Sequence, residues 1–226
     1  MINGNSVLGL IPARSGSKGI KNKNTKDFMG IPLIGHTIQV SKKINYIDEL
    51  IVSTDDERIK EISEKFGAKV PYLRPKHLSN DTASNIDVAL HAINKIKTDI
   101  LIILQPTSPL RIDQDISRPL EILFEKKAKM VVSVSKVKNY PYSFQINDSN
   151  YLKSTQRIRD IKTNRQMHED FYTVNGSTYV SFSDYFKLRK TFFTEKTYAY
   201  RMPQVRSVDI DDLDDWDLAE KLYNKK

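Results

Sequence analysis

The run V-L-G-L-I-P-A-R-S-G-S-K-G-I-K-N-K-N, residues 7–24, decides how this chain reads. Val7-Leu8-Gly9-Leu10-Ile11 has the length and apolar character of a buried strand. Directly after it, Arg14, Lys18, Lys21 and Lys23 fall close together, interleaved with Ser15, Gly16, Ser17 and Gly19. Small residues let backbone N–H groups approach an anion, and cations neutralise it, so the segment has the chemistry of a triphosphate cradle. The bland alternative is a basic surface loop after a strand. The loop is neither a Walker A sequence, since the Gly-Lys-Ser/Thr ending is missing, nor the dinucleotide G-x-G-x-x-G.

Outward from this loop, strand-like and helix-like segments alternate. Pro32 opens an amphipathic stretch with Leu33, Ile34, Ile38 and Val40, a position that suits proline at a helix start. Glu49 to Thr54 reads as a second strand, and Asp55-Asp56 as the cap of a helix carrying Ile59, Ile62 and Phe66 and stopped at Gly67. Val70 to Leu73 is expected as a short strand and Ser84 to Lys97 as a helix, its apolar face either Ile86, Leu90, Ile93 and Ile96 or Ala89 with Ala92. Ile100 to Leu104 is apolar throughout, as in a strand buried on both faces. A helix capped by Asp113 or Asp115 leads through Leu120 and Phe124 to a fifth strand, Met130 to Val134. Such alternation predicts an α/β fold, Rossmann-like, with a mostly parallel sheet and helices on both faces. Ligands then bind beyond the carboxyl ends of the strands, where Arg14 to Asn24, Thr54-Asp55, Arg74 to Ser84 and Gln105 to Arg111 would converge.

The rhythm breaks between Lys138 and Val174, where Tyr140, Tyr142, Phe144, Tyr151, Phe171 and Tyr172 mix with Lys153, Arg157, Arg159, Lys162 and Arg165. Aromatics and arginine are favoured at interface cores, so residues 139–173 read as an arm inserted into a single domain of residues 1–226 and used in dimerisation, with a substrate lid or a loose loop as alternatives. Strand signals return at Ser177 to Phe182 and Thr197 to Arg201, and a helix with Leu213, Trp216, Leu218, Ala219 and Leu222 closes the chain.

Composition limits the function classes. The 226 residues contain no cysteine, which excludes disulfides and thiolate metal sites and agrees with a reducing cytoplasm. No apolar run approaches the ~20 residues of a membrane span, and the polar start has no leader character, so the expectation is a cytoplasmic protein without membrane attachment. The formal charge of +8 invites a nucleic-acid reading, but no recognition motif accompanies it, and Asp209, Asp211, Asp212, Asp214, Asp215 and Asp217 oppose a continuous cationic face. Asp209 and Asp211 lie two apart, the spacing that puts both carboxylates on one side of a strand, as in a site for a hard cation. Equally, the acidic run precedes a helix and would serve as its cap.

Ile11 to Asn24 resembles the opening motif of the CMP-sialic acid synthetases, or acylneuraminate cytidylyltransferases. Further family-like segments follow in order: Gly35-His36-Thr37-Ile38, Val52-Ser53-Thr54-Asp55, Arg74-Pro75, Asp81-Thr82-Ala83-Ser84, Leu104 to Arg111, Asn175-Gly176 and Ser207 to Asp211. The resemblance implies a nucleotidyltransferase fold of the glycosyltransferase-A-like kind. It also implies transfer of CMP from CTP to the anomeric hydroxyl of a nine-carbon 2-keto sugar acid, with release of pyrophosphate, for surface glycan synthesis. By the same resemblance Arg14, Ser17, Lys18, Lys23, Asn24, Arg74 and Ser84 bind the nucleotide, with Arg14 and Lys23 on the phosphates and Arg74 on cytosine. Gln105, Arg165 and Asn175 are implied for the sugar acid, Asp209 and Asp211 for Mg2+ or Mn2+, and Lys23, Arg14 and Asp211 for catalysis. A homodimer is implied too. Arg111 reads as structural support, and His36 and His91 as packing or surface residues. Alternatives are an eight-carbon Kdo cytidylyltransferase and a non-catalytic nucleotide-binding homologue. Two departures bear on the substrate. Tyr172-Thr173-Val174 stands where sialic acid-activating members often carry Phe-Arg-Pro, which points to a relative such as legionaminic acid, and Asn85 replaces a serine found in some members.

Overall fold

The computed structural model describes residues 1–16, 19–80, 82–137, 144–146, 152–154 and 170–225. Its centre is a six-stranded sheet formed by β1 (Val7–Pro12), β4 (Glu49–Ser53), β5 (Ile100–Leu104), β6 (Met130–Lys136), β9 (Tyr172–Phe182) and β10 (Thr197–Arg201), in the order β10-β6-β9-β5-β1-β4. β1 pairs in parallel with β4 and β5, and β10 with β6. β9 runs antiparallel to both of its neighbours. The sheet is therefore mostly parallel, as the alternation predicts, with one reversed strand that periodicity alone does not reveal.

The apolar run in β5 shows why the sheet is covered on both faces. Successive side chains in a strand point to opposite sides. Ile100, Ile102 and Leu104 enter one core cluster, with Ile34, Ile38 and Ile59 from α1 (Leu33–Ser41) and α2 (Glu57–Phe66) and with Leu120 from α4 (Gln114–Glu125). Leu101 and Ile103 enter the other, with Ala89, Ala92 and Ile93 of α3 (Asn85–Lys95) and Phe186 of α5 (Ser183–Arg189). Each Ile, Leu or Phe side chain among them gains about 1.5–3 kcal/mol by leaving water. Of the two apolar faces open for α3, Ala89 with Ala92 is the buried one, joined by Ile93. A third cluster, Ile20, Phe28, Leu33, Leu110, Val208, Ile210, Trp216 and Ala219, seats α6 (Leu213–Tyr223) against the first loop.

Several local expectations change. Val70 to Leu73 is not a strand; only isolated bridges, Ile51 with Lys69 and Thr54 with Leu73, run beside β4. Pro71 has no N–H to give to a ladder. Pro32 caps α1 and closes a two-residue strand, Ile31–Pro32 (β3), paired with Asp27–Phe28 (β2), so the helix proper starts at Leu33. Asp113, rather than Asp115, caps α4. Asp115 is fully buried instead and takes a two-point ion pair from Arg206, at 2.8 and 2.9 Å, together with the Tyr200 hydroxyl at 2.8 Å. Most of the expected arm, 139–173, lies outside the described residues. Within it Phe144–Ile146 (β7) pairs antiparallel with Leu152–Ser154 (β8), and at its far end Tyr172 and Thr173 already belong to β9, opposite Lys136 and Ser135. Among the described residues no helix is long and apolar enough to cross a membrane.

Candidate active site

β1, β4 and β5 are parallel, so the loops that leave them emerge at one edge of the sheet. There they enclose a cavity of about 480 Å³, in the range of small-molecule sites, whose walls include Arg14, Gly19, Lys23, Asn24, Arg74, Asn85, Gln105 and Asp211. Segments far apart in sequence thus meet in one place.

The first loop is held by side-chain hydrogen bonds. Ser15 gives both its N–H and its hydroxyl to Asp55, at 3.0 and 2.9 Å, and the Asn24 amide donates to the Arg14 carbonyl at 3.0 Å. Lys23 is buried, 9% exposed, and donates to the Ile210 carbonyl at 2.6 Å and the Asp211 carboxylate at 3.1 Å. The loop also packs against the backbone of the acidic segment: a β-carbon at Gly19 would run into the Asp211 carbonyl. Only glycine lets the two chains lie this close.

The acidic segment itself departs from expectation. Ser207 to Asp211 is not a strand but an irregular stretch outside any ladder. The Ile210 N–H goes to the Thr107 carbonyl at 2.8 Å, while the Ile210 side chain is buried in the third core cluster. Asp211 is largely exposed toward the cavity, and Asp209 is half-buried, with a buried Oδ1 that has no hydrogen-bond partner among the described residues. Burial pushes the Asp209 carboxyl up from its ordinary pKa and the neighbouring Asp211 charge adds to this, against the pull of Thr107 and Lys23. The rest of the acidic run is helix-start chemistry: Asp212 caps α6 by accepting the Asp215 N–H, and Asp215 accepts the Asp211 N–H at 3.0 Å. The capping reading of the run therefore holds for Asp212 and Asp215.

These two carboxylates fit a hard divalent cation. Among the described residues no three acidic or histidine side chains converge. Mg2+ suits such a sparse site, since it takes one or two carboxylates and fills its remaining positions with phosphate oxygens and water. An unpartnered buried oxygen on Asp209 beside the exposed carboxylate of Asp211 is the donor set such an ion needs.

Arg74 is the second unbalanced group. It is 6% exposed, it lines the cavity, and its Nε and Nη2 are buried without a hydrogen-bond partner among the described residues. Burial lowers its pKa, opposed by the Asp55 charge and reinforced by Arg14. Arg111 is buried too, but it is satisfied: it donates to the Ser177 hydroxyl at 2.9 Å and the Gln105 carbonyl at 2.6 Å. Burial takes its pKa down to about 9. Its role is the structural support expected of it, holding the backbone of Gln105 at the cavity wall.

Other expected contacts fall elsewhere. Asn175, implied for the sugar acid, spends its amide inside the protein: it donates to Ser207 at 2.9 Å and accepts from Ser133 at 2.6 Å and the Ser177 N–H at 3.2 Å. Ser84, implied for the nucleotide, forms a capping box with Asp87 at the start of α3, and its neighbour Asn85 lines the cavity instead. Ser17, Lys18 and Arg165 lie outside the described residues. His36 meets the Phe28 carbonyl at 2.7 Å and stacks edge-on against Phe28, while His91 stacks against Tyr72, so both pack rather than react. Asp55 and Thr107 were given no site role from sequence, although both lie in loops that follow predicted strands and in segments that resemble the family.

A family model described as cytidylyltransferase matches residues 8–226. The chain belongs to the cytidylyltransferase family. It is 34% identical over 223 residues to CMP-N,N'-diacetyllegionaminic acid synthase of Legionella pneumophila, covering 96% of this chain and 95% of that protein. It is also 34% identical over 226 residues to N-acylneuraminate cytidylyltransferase of Escherichia coli O18:K1:H7, covering 97% of this chain and 52% of that protein, so it spans about half that relative's length. Among solved structures, CMP:2-keto-3-deoxy-manno-octonic acid synthetase complexed with CTP superposes with a TM-score of 0.75 at 17% identity, covering 97% and 99% of the two chains. At that identity the likeness concerns the fold of this cytidylyltransferase alone.

Proposed function

We propose that this cytidylyltransferase transfers CMP from CTP to the anomeric hydroxyl of a nine-carbon 2-keto sugar acid and releases pyrophosphate. One observation carries the reading: one cavity joins the cationic loop, the Arg74 guanidinium, two of whose nitrogens have no partner among the described residues, and the carboxylate of Asp211. Arg74 presents donors to cytosine O2 and N3, and Arg14 and Lys23 face the phosphates. A sugar hydroxyl oxygen attacks the α-phosphorus, the bond to the β-phosphate oxygen breaks, and pyrophosphate leaves with the charge that Lys23 offsets. Gln105 holds the sugar acid in line for that attack. Bound at Asp209 and Asp211, Mg2+ would neutralise the triphosphate and polarise the α-phosphate. Release of pyrophosphate from CTP with a panel of nine- and eight-carbon sugar acids tests the reaction; turnover with the eight-carbon acid alone, or with none, rejects it.

The preferred sugar follows from Thr173, which is exposed on β9 and brings no charge where sialic acid-activating relatives often carry arginine. A missing charge-assisted hydrogen bond is worth roughly 1.5–3 kcal/mol. A 5,7-diacylated nonulosonate is therefore expected to exceed N-acetylneuraminic acid by about tenfold or more in kcat/KM. The similarity to the diacetyllegionaminic acid synthase over nearly the full length of both chains supports this. Equal values for the two sugars at saturating CTP and Mg2+ would reject it.

A homodimer belongs to the same reading. Phe171 and Val174, at the end of the expected arm, are exposed apolar side chains that a second copy would cover. Sedimentation at micromolar concentration is expected to give a dimer, and a fully active monomer would overturn this.

A further inference from the structure

The segment that carries Asp209 and Asp211 belongs to no ladder, so other contacts must set where it lies. Its downstream end is tied at Ile210 and Asp211, by the Thr107 carbonyl, by Lys23 and by Asp215. Upstream it begins at Ser207, directly after a short 3-10 turn, Gln204–Arg206. The last residue of that turn forms the two-point ion pair with Asp115: Arg206 Nε donates to Oδ2 at 2.8 Å and Nη2 to Oδ1 at 2.9 Å.

Asp115 gathers separate parts of the chain. It is fully buried, and besides Arg206 it accepts from the Tyr200 hydroxyl of β10 at 2.8 Å and from the Ile112 N–H, just before α4, at 3.0 Å. Arg111, also buried, feels the same charge, which offsets part of the cost of its burial. One carboxylate thus serves two arginines, one that holds the Gln105 carbonyl and one that leads into the acidic segment. A buried ion pair adds little net stability over apolar side chains of like volume, whereas its fork fixes direction as well as distance. Three residues of chain span at most about 10 Å, so a change in the seat of Arg206 reaches Asp209 with little slack to absorb it. Asn175 steadies Ser207 on the way, at 2.9 Å, which makes the dependence on Arg206 partial.

We propose that Asp115 is a positioning residue, which through the Arg206 fork holds the acidic segment where Asp209 and Asp211 can share one divalent cation. The inference rests on the metal role proposed above for those two carboxylates. Neither Asp115 nor Arg206 lines the cavity, so both act through the segment and not on a ligand. Asp211 is tied on its own side by Lys23 and Asp215, and a loosened fork therefore displaces Asp209 first.

The test is Arg206→Lys, which keeps a positive charge opposite Asp115 but replaces the planar fork by a point. The readout is equilibrium binding without sugar: CTP titrated by calorimetry in EDTA and again with Mn2+. The ratio of the two affinities is the gain that the metal brings. In Arg206→Lys, CTP affinity in EDTA is expected within about twofold of wild type, and the Mn2+ gain below about one third of the wild-type gain. Ile93→Ala controls for plain loss of stability, since Ile93 is buried on the opposite face of the sheet from α4. It is expected to lower the melting temperature and to leave the Mn2+ gain unchanged. Asp115→Asn combined with Arg206→Gln leaves neither charge of the pair buried alone, and is expected to fold and to show a reduced gain as well. A full Mn2+ gain in Arg206→Lys, a parallel loss of CTP affinity in EDTA, or an equal fall in Ile93→Ala would each overturn the inference. Failure of both the lysine and the paired variant to fold would overturn it too, since the contact would then be structural only. A wild-type chain without a Mn2+ gain, or a gain that survives in Asp209→Asn, defeats the metal assignment itself. That outcome is distinct from a normal wild-type gain left intact by Arg206→Lys.

Discussion

Asp209→Asn and Asp211→Asn are each expected to leave the fold intact and to lower turnover by more than ~100-fold, the loss of a charge-stabilising ligand worth a few kcal/mol. The amide keeps the size of the carboxylate but is a poor Mg2+ ligand. Folding should survive for different reasons at the two sites. The Asp211 side chain is largely exposed and its partner among the described residues is Lys23, which keeps its bond to the Ile210 carbonyl. Asp209 Oδ1 is buried with no hydrogen-bond partner among the described residues, so the substitution breaks no hydrogen bond at that atom. Burial holds the Asp209 carboxyl above its ordinary pKa, so the metal-free group takes up a proton more readily than an exposed aspartate as pH falls. The Mg2+ concentration needed for half-maximal rate should accordingly rise at acidic pH. Near-normal Mg2+-dependent turnover in both variants would reject the metal assignment.

The second large effect concerns Arg74. Substitution to methionine is expected to weaken CTP binding by about 100-fold, since two hydrogen bonds from a charged donor are worth roughly 1.5–3 kcal/mol each, less what the apolar stem retains. The same change should leave stability equal or higher. Two guanidinium nitrogens of Arg74 are buried and have no partner among the described residues, and an unsatisfied buried donor costs about 1–3 kcal/mol. A variant that binds nucleotide poorly yet melts no lower than wild type marks a residue kept for its ligand. Titration with CTP alongside a thermal melt reads both quantities. CTP affinity within threefold of wild type, or a large fall in melting temperature, would instead make Arg74 structural.

Much of the framework was legible because it depends on local periodicity. The apolar run of β5, the spacing of Ile59 and Ile62 in α2 and the stop at Gly67 follow from how side chains project from a strand or a helix. The expected strand at Val70 to Leu73 fails for a local reason as well: Pro71 denies a ladder its donor. The order of the strands was not legible. β9 reverses direction between β5 and β6, and a buried strand of either direction reads alike.

At the site, the sequence alone marked the cationic loop, the pair Asp209 and Asp211, and Gln105 directly after a buried strand. The chemistry of those residue types and their place at strand ends was enough. Which of them remain available to a ligand was decided only by tertiary structure. Asn175 and Arg74 are both buried polar groups near one cavity. Asn175 is consumed by Ser133, Ser177 and Ser207, whereas Arg74 keeps two donors without a partner among the described residues. The acidic segment lies against Gly19 and Gly176 through contacts more than thirty residues apart in the chain. A hydrogen-bonding group has the same capacity wherever it stands in a sequence. Whether that capacity is spent depends on partners that only folding brings within reach.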